Sequence, residues 1–453
     1  MKKYAHRVQS ISQPASFALP KLDDVALAAV ITPSNFGALF PSLRALDYSV
    51  ISVAAPTIPL LTKVLLIERN LKTTTNLSVT CPRASQREEV YELFQAIRTK
   101  ATRLETLRIE SFAAASSNGS LAVKLVEGEF KYLRKLDLSW TIRISTECLT
   151  CVARMMYLQE LSLYVRHDIG LDFLANGCCT AGTKARASIR TFPSLRSLKI
   201  MASSLDQCTV LMGLVTSPLL DNIIFSYDVQ ASSSLIETFF RQVQKTCPDR
   251  MTAASLPATI AITLKHNLGP YSSATAPFLI YPSQTLSPLF GLRHLRTLRL
   301  LHLGTIAIDD AFLREAASAW GRHLHELEEC GIPWLGMEED LQGLPGFVSA
   351  TLDGIGAFVR RCPRLERLKL AFDGRCLPRP EACVDEHRAR GESEEDARSV
   401  LHVLNVRDSP IDNPECVAKF LKQVAPGLRV ICVEGSLDMW RKWREVEDRI
   451  KLS

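Results

Sequence analysis

"TFPSLRSLKI", Thr191 to Ile200, carries leucine at the first and fourth positions of an L-x-x-L-x-L phrase, with Ile200 in the sixth. The phrase returns as "YLRKLDLSW", "YLQELSLYV", "HLRTLRLLH" and "RLERLKLAF". Its apolar residues alternate, so that in an extended chain Leu198 and Ile200 share one face while Ser197 and Lys199 share the other. A single strand of this kind cannot bury its apolar face. Stacking successive copies in parallel buries it and makes a continuous core.

Aligned on their first apolar residue, the phrases anchor at Leu43, Leu61, Leu104, Leu133, Leu158, Leu195, Leu220, Leu295, Leu324, Leu365, Leu401 and Leu428. Several intervals fall between 25 and 29 residues, the period of leucine-rich repeats, in which a short strand alternates with a helical return. The fold class expected is therefore α/β: an irregular leucine-rich-repeat solenoid with parallel strands on the concave face and helices on the convex face. Strands are centred near Leu107, Leu136, Leu161, Leu198, Leu298, Leu368 and Leu404. A degenerate strand is expected at "TIAITLK", followed by a loop at "HNLGPYSSATAPFLIYPSQTLSP".

The returns read as helices. In "DNPECVAKFLKQVAPG", Asn413 is the N-cap, Pro414 fits the first helical position, and Val417, Phe420, Leu421 and Val424 form the apolar stripe. In "SSSLIETFFRQVQKTCP", Ser234 and Glu237 make a capping-box pair before Leu235, Ile236, Phe239, Phe240 and Val243. "DDAFLREAASAW" and "STECLTCVARMM" have the same character. The position that holds Asn or Cys in many such repeats is Phe112, Thr141, Arg166 or Ser203 here, so no regular ladder of turn hydrogen bonds is implied.

The whole chain, 1–453, is expected to form one solenoid, with 1–40 as an N-terminal capping segment, 373–399 as a mobile charged insert and 400–453 as the C-terminal repeats and cap. The insert is Pro-rich and then highly charged, with little to bury. A chain that is 47% hydrophobic and 23% charged has ample material for a core. The net charge of +6 is small for this length and gives no concentrated basic face, so neither nucleic acid nor a membrane is expected as a partner. Thirteen cysteines without a regular framework, and an N-terminus without a secretory leader, point to reduced thiols in a cytoplasmic or nuclear protein.

Chemistry is sparse. Cys148 and Cys151 form a CxxC, but helical spacing sets them beside Leu149 and Val152, and no second pair completes a metal site. Cys178 and Cys179 read as loop residues. His323, His325 and Cys330 flank a repeat strand, where a structural role is favoured, and Glu326, Glu328 and Glu329 read as solvated neighbours. The phosphate-loop, nucleophile-elbow and zinc-helix motifs are all missing. The expectation is a chain that is not an enzyme and holds no cofactor and no metal.

The strand positions that face away from the core carry Arg108, Lys135, Lys199, Arg299, Arg367, Lys369 and Arg407 against Glu110, Asp137, Glu160, Glu326, Glu328 and Glu434. Such a mixed surface suits a protein partner better than a phosphate backbone. The partner-binding set expected is Arg108, Lys135, Asp137, Trp140, Glu160, Tyr164, Lys199, Arg299 and Lys369, with Trp140 and Tyr164 as aromatic anchors.

Three groups of phrases carry a family resemblance. They are "RVQSISQ…LFPSLRALDY", "LRTLRLLHL…IDDAFLREAASAW" with "FVRRCPRLERLKLAFD", and "LHVLNVRDSPIDNPECVAKFLKQVAPGLRVICVEG…MWRKWREVE". In this order they resemble the leucine-rich-repeat region of fungal F-box proteins of the basidiomycete type. In that family an N-terminal F-box docks on Skp1 within a cullin-RING ubiquitin ligase and the repeats hold the substrate. The resemblance implies a substrate-recognition module, with Skp1 a partner only if an F-box lies outside this chain, because no Leu-Pro-led helical triplet precedes the repeats. The alternative is a free-standing repeat scaffold with no role in ubiquitylation.

Overall fold

In the computed structural model the described residues are 10–12, 44–49, 68–81, 95, 97–111, 130–138, 146–165, 191–247, 260–266, 280–330, 350–375 and 399–452. Leu43, Leu61, Trp140, Cys178, Cys179, nearly all of 1–40 and most of the 373–399 insert lie outside them. The chain forms two compact units: Met1–Ser203 with Val210–Leu220, and Ser204–Thr209 with Asp221–Ser453.

In the first unit β1 (Ser10–Ser12), β2 (Ala45–Ser49), β3 (Asn76–Cys81), β4 (Thr106–Ser111), β5 (Lys135–Leu138), β6 (Glu160–Val165) and β7 (Ser197–Ala202) each pair in parallel with the next. Register sets Leu77, Leu107, Leu136, Leu161 and Leu198 in one row, each no more than 2% exposed. Between strands lie α1 (Glu68–Thr73) and α2 (Thr146–Ala153). Cys148, Leu149 and Val152 of α2 are buried, and Cys151 is half-buried. The helix α3 (Leu205–Leu214) is divided, its residues up to Thr209 belonging to the second unit and those from Val210 to the first.

The second unit repeats the plan with β8 (Asn222–Tyr227), β9 (Ile260–His266), β11 (Leu295–Leu301), β13 (Glu326–Cys330), β14 (Arg367–Lys369), β15 (Val403–Arg407) and β16 (Val430–Val433), again parallel. Ile223, Ile262, Leu298, Leu327, Leu368, Leu404 and Ile431 form its central row. The returns α4 (Ser233–Thr246), α5 (Asp310–Trp320), α6 (Leu352–Arg361), α7 (Pro414–Val424) and α8 (Leu437–Leu452) include neighbours that pack in chain order, α5 on α6, α6 on α7 and α7 on α8. The leucine-rich-repeat reading thus holds: parallel strands with an apolar row, joined by helical returns.

Details of the returns follow their sequence. Asn413 caps α7, its Oδ1 accepting from the Cys416 N–H at 3.1 Å, and Asp309 caps α5 through the Phe312 N–H at 2.7 Å. For α4 the cap is Ser232 rather than Ser234, and Glu237 pairs with Arg241 one turn on instead of reaching back. The Asp310 carboxylate accepts from Thr351 N at 2.7 Å and Thr351 Oγ1 at 2.8 Å, tying the start of α6 to α5. A Cβ at Gly354 would collide with that carboxylate and displace it from Thr351.

Two expectations need correction. The segment read as a loop up to Pro288 ends in β10 (Ile280–Pro282), paired with β12 (Thr305–Ala307), and a 3-10 turn over Ser283–Gly291. Its apolar residues Tyr281, Leu286 and Leu289 are buried, and the Tyr281 hydroxyl donates to Ala231 O at 2.6 Å. A regular turn ladder also exists, at the entry to the strands. The carbonyls of Arg44, Thr75, Glu105, Arg134 and Gln159 each accept two consecutive N–H groups from the next repeat, and those of His325, Glu366 and His402 do the same. The ladder is backbone to backbone, so no consensus Asn or Cys is needed to build it.

Candidate functional site: the outward strand face and its edges

Parallel register turns outward residues into rows a few ångströms apart, so charges on successive strands meet. In the first unit Arg108 faces Asp137 at 3.6 Å and Lys135 faces Glu160 at 2.6 Å. Lys199 is exposed next to Ser162 in the same register, and Tyr164 is half-buried beside Met201. Four members of the expected set are therefore paired with one another. Exposed pairs of this kind contribute little to stability, and their effect is to hold each side chain in place.

The second unit carries a longer network. Arg299 Nη2 lies 3.0 and 2.8 Å from the two oxygens of Glu326, and Arg299 Nε lies 3.6 Å from Glu328. Lys369 bridges Glu328 at 3.7 Å and Glu434 at 2.7 Å, and Asn405 Nδ2 donates to Glu434 at 2.9 Å. Burial pushes the Glu434 pKa up, but the Lys369 and Asn405 hydrogen bonds and the Arg407 charge outweigh it and hold the carboxyl below its ordinary value. A depressed carboxyl stabilises the fold above its unfolded pKa, about 4.3, and that contribution is lost as pH falls through the folded value. Glu434→Gln is accordingly expected to lower the thermal midpoint at pH 7 and to flatten its decline between pH 5 and 3. An unchanged pH slope would show that the network does not govern this titration.

Arg407 and Glu329 depart from the sequence reading. Alternation sets Arg407 outward, and Glu329 reads as a solvated neighbour, yet they are 2% and 4% exposed and pair at 3.2 Å. Glu329 stands in register with Leu300, on the core side. Arg407 reaches it because the β15–β16 register shifts between Asn405 and Arg407, and Arg407 adopts φ of 55°, a left-handed conformation that turns the side chain inward. Val406 and Arg407 are both buried.

At the strand entry of the second unit, Asp221, Ala261, Arg296, Thr297, His325, Glu326, Glu366 and Arg367 line an open polar depression of about 420 Å³. His325 Nδ1 lies 2.9 Å from Glu366 Oε1, and this hydrogen bond is the main cause holding the Glu366 pKa down. The His323 and His294 rings meet edge to face, centroids 4.8 Å apart. The two histidines are thus engaged by different neighbours. Among the described residues no group of three or more His, Cys, Asp or Glu gathers as for a metal ion, and no helix is long and apolar enough to cross a membrane.

No protein-family model matches the chain, and no curated protein matches it. Among solved structures it is similar to a chain of the crystal structure of the Rad7 and Elc1 complex in yeast, at 13% identity and a TM-score of 0.45, covering 92% of this chain and 86% of that one.

Proposed function

We propose that the chain is a protein-binding leucine-rich-repeat module whose outward strand faces recognise a partner. The observation that carries this reading is the network of Arg299, Glu326, Glu328, Lys369, Asn405 and Glu434: charges of both signs, fixed by strand register on a rigid sheet, suit an electrostatically complementary protein surface. Within this reading the module serves as the substrate-recognition part of an SCF-type ubiquitin ligase receptor, supported by the phrases that resemble those of fungal F-box proteins. Skp1 then binds only through an F-box outside residues 1–453.

The test is affinity purification from the native cell followed by lysine cross-linking and mass spectrometry. The expected result is one protein cross-linked at Lys199 or Lys369 and lost on Lys199→Glu or Arg299→Gln, with each variant shown to be folded by circular dichroism. Cross-links confined to other surfaces, or full retention by both variants, would overturn the reading. Stoichiometric binding of Skp1 to purified 1–453 would overturn only the placement of the F-box outside these residues.

A further inference from the structure

The entry edge of the first unit carries a second pattern. Two successive phrases, "YLRKL" and "YLQEL", hold tyrosine immediately before the anchor leucine. Lys135 pairs in register with Glu160, three residues after each tyrosine, so Tyr132 and Tyr157 hold equivalent turn positions on neighbouring repeats. They are 59% and 64% exposed, and Met156 beside them is 59% exposed. These are large apolar surfaces that a solvated turn does not require. The Ser194 hydroxyl donates to Met156 O at 2.6 Å, so the next turn packs against this one.

Basic residues frame the pair. Arg103 holds the turn position equivalent to Tyr132 on the preceding repeat, and two residues further along Arg134 and Arg196 flank Gln159. These three arginines and Arg154, at the end of α2, are exposed. Two acids interrupt them, exposed Glu105 and Glu160, the latter paired with Lys135.

We propose that this edge binds an extended acidic peptide bearing aliphatic or aromatic side chains. The phenol pair and the adaptable Met156 thioether supply an apolar seat, and the guanidiniums supply forked donors for carboxylates on either side. The backbone cannot add a peptide strand here, because the N–H groups of Arg134, Lys135, Gln159, Glu160, Arg196 and Ser197 are consumed by the entry ladder. Recognition rests on side chains. Glu105 and Glu160 would repel a continuous phosphate backbone, whereas a peptide can space its carboxylates to avoid them.

The experiment pans a random 12-residue phage-displayed peptide library on the full chain at physiological salt and measures the enriched peptides by fluorescence anisotropy. Peptides combining Asp or Glu with Leu, Phe or Trp are expected, and their affinity should fall about tenfold or more on Tyr132→Ser with Tyr157→Ser, and on Arg134→Glu with Arg154→Glu. Tyr132→Phe with Tyr157→Phe should retain binding, and Arg299→Gln should leave it unchanged, which separates this edge from the outward face. Enrichment of neutral or basic peptides, no enrichment, or acidic peptides that bind all variants alike would overturn the proposal. So would tighter binding of labelled oligouridylate, or of phosphatidylserine vesicles, lost on the same substitutions.

Discussion

Arg407→Met is expected to destabilise the protein by about 3–5 kcal/mol, since it leaves the Glu329 carboxylate without its buried partner. Leu300 stands in register with Glu329 and Val406 is beside Arg407, whose Nε also lies 3.8 Å from Glu434. Taking two ions out of water costs several kcal/mol each, and their attraction repays this only while both are present. Glu329→Leu with Arg407→Met should therefore recover most of the loss, and the double variant should unfold at or above the wild-type midpoint. Methionine keeps the length of the arginine stem, so packing changes little. Denaturant unfolding of the two single variants and the double variant measures the coupling. Additive losses would mean that the ions are solvated independently, and would place the bulged end of β15 in water.

This pair also shows where the sequence stops being legible. The central rows could be read because a period of two, repeated in phrase after phrase, leaves one place for leucine. Leu107, Leu136, Leu161 and Leu198 in one unit, and Leu298, Leu368 and Leu404 in the other, all lie in strands and in register. The strand β3 gave a weaker signal because Thr74, fully buried, fills the anchor position before Leu77 and Val79. Arg407 was misplaced for a different reason: alternation predicts facing only until a bulge inserts a step, and "VLNVRDS" has no glycine to announce one. Apart from Arg407, the outward charges whose side chains are described do face away from the core, but their mutual pairing was not legible, because it depends on which strand lies beside which. Tyr132 and Tyr157 were visible as letters before each anchor. Their equivalent placement needed the register.

Leu198→Ala should cost about 2–5 kcal/mol, through lost burial and the cavity left behind. Leu198 is 1% exposed and stands beside Leu161 in a row that continues through Leu136, Leu107 and Leu77. Parallel strands hold their neighbours at fixed spacing, so the row cannot close over a missing side chain without breaking the ladder hydrogen bonds on either side. Lys199 supplies the control one residue away, because it points outward and is exposed; its replacement by alanine should shift the midpoint by no more than about 0.5 kcal/mol. The contrast between adjacent residues tests register directly. A slip of one position would exchange the two outcomes, since every side chain on the strand would change face. Equal effects would mean that β7 is not held against an apolar core, and the repeat architecture of this unit would fail with it.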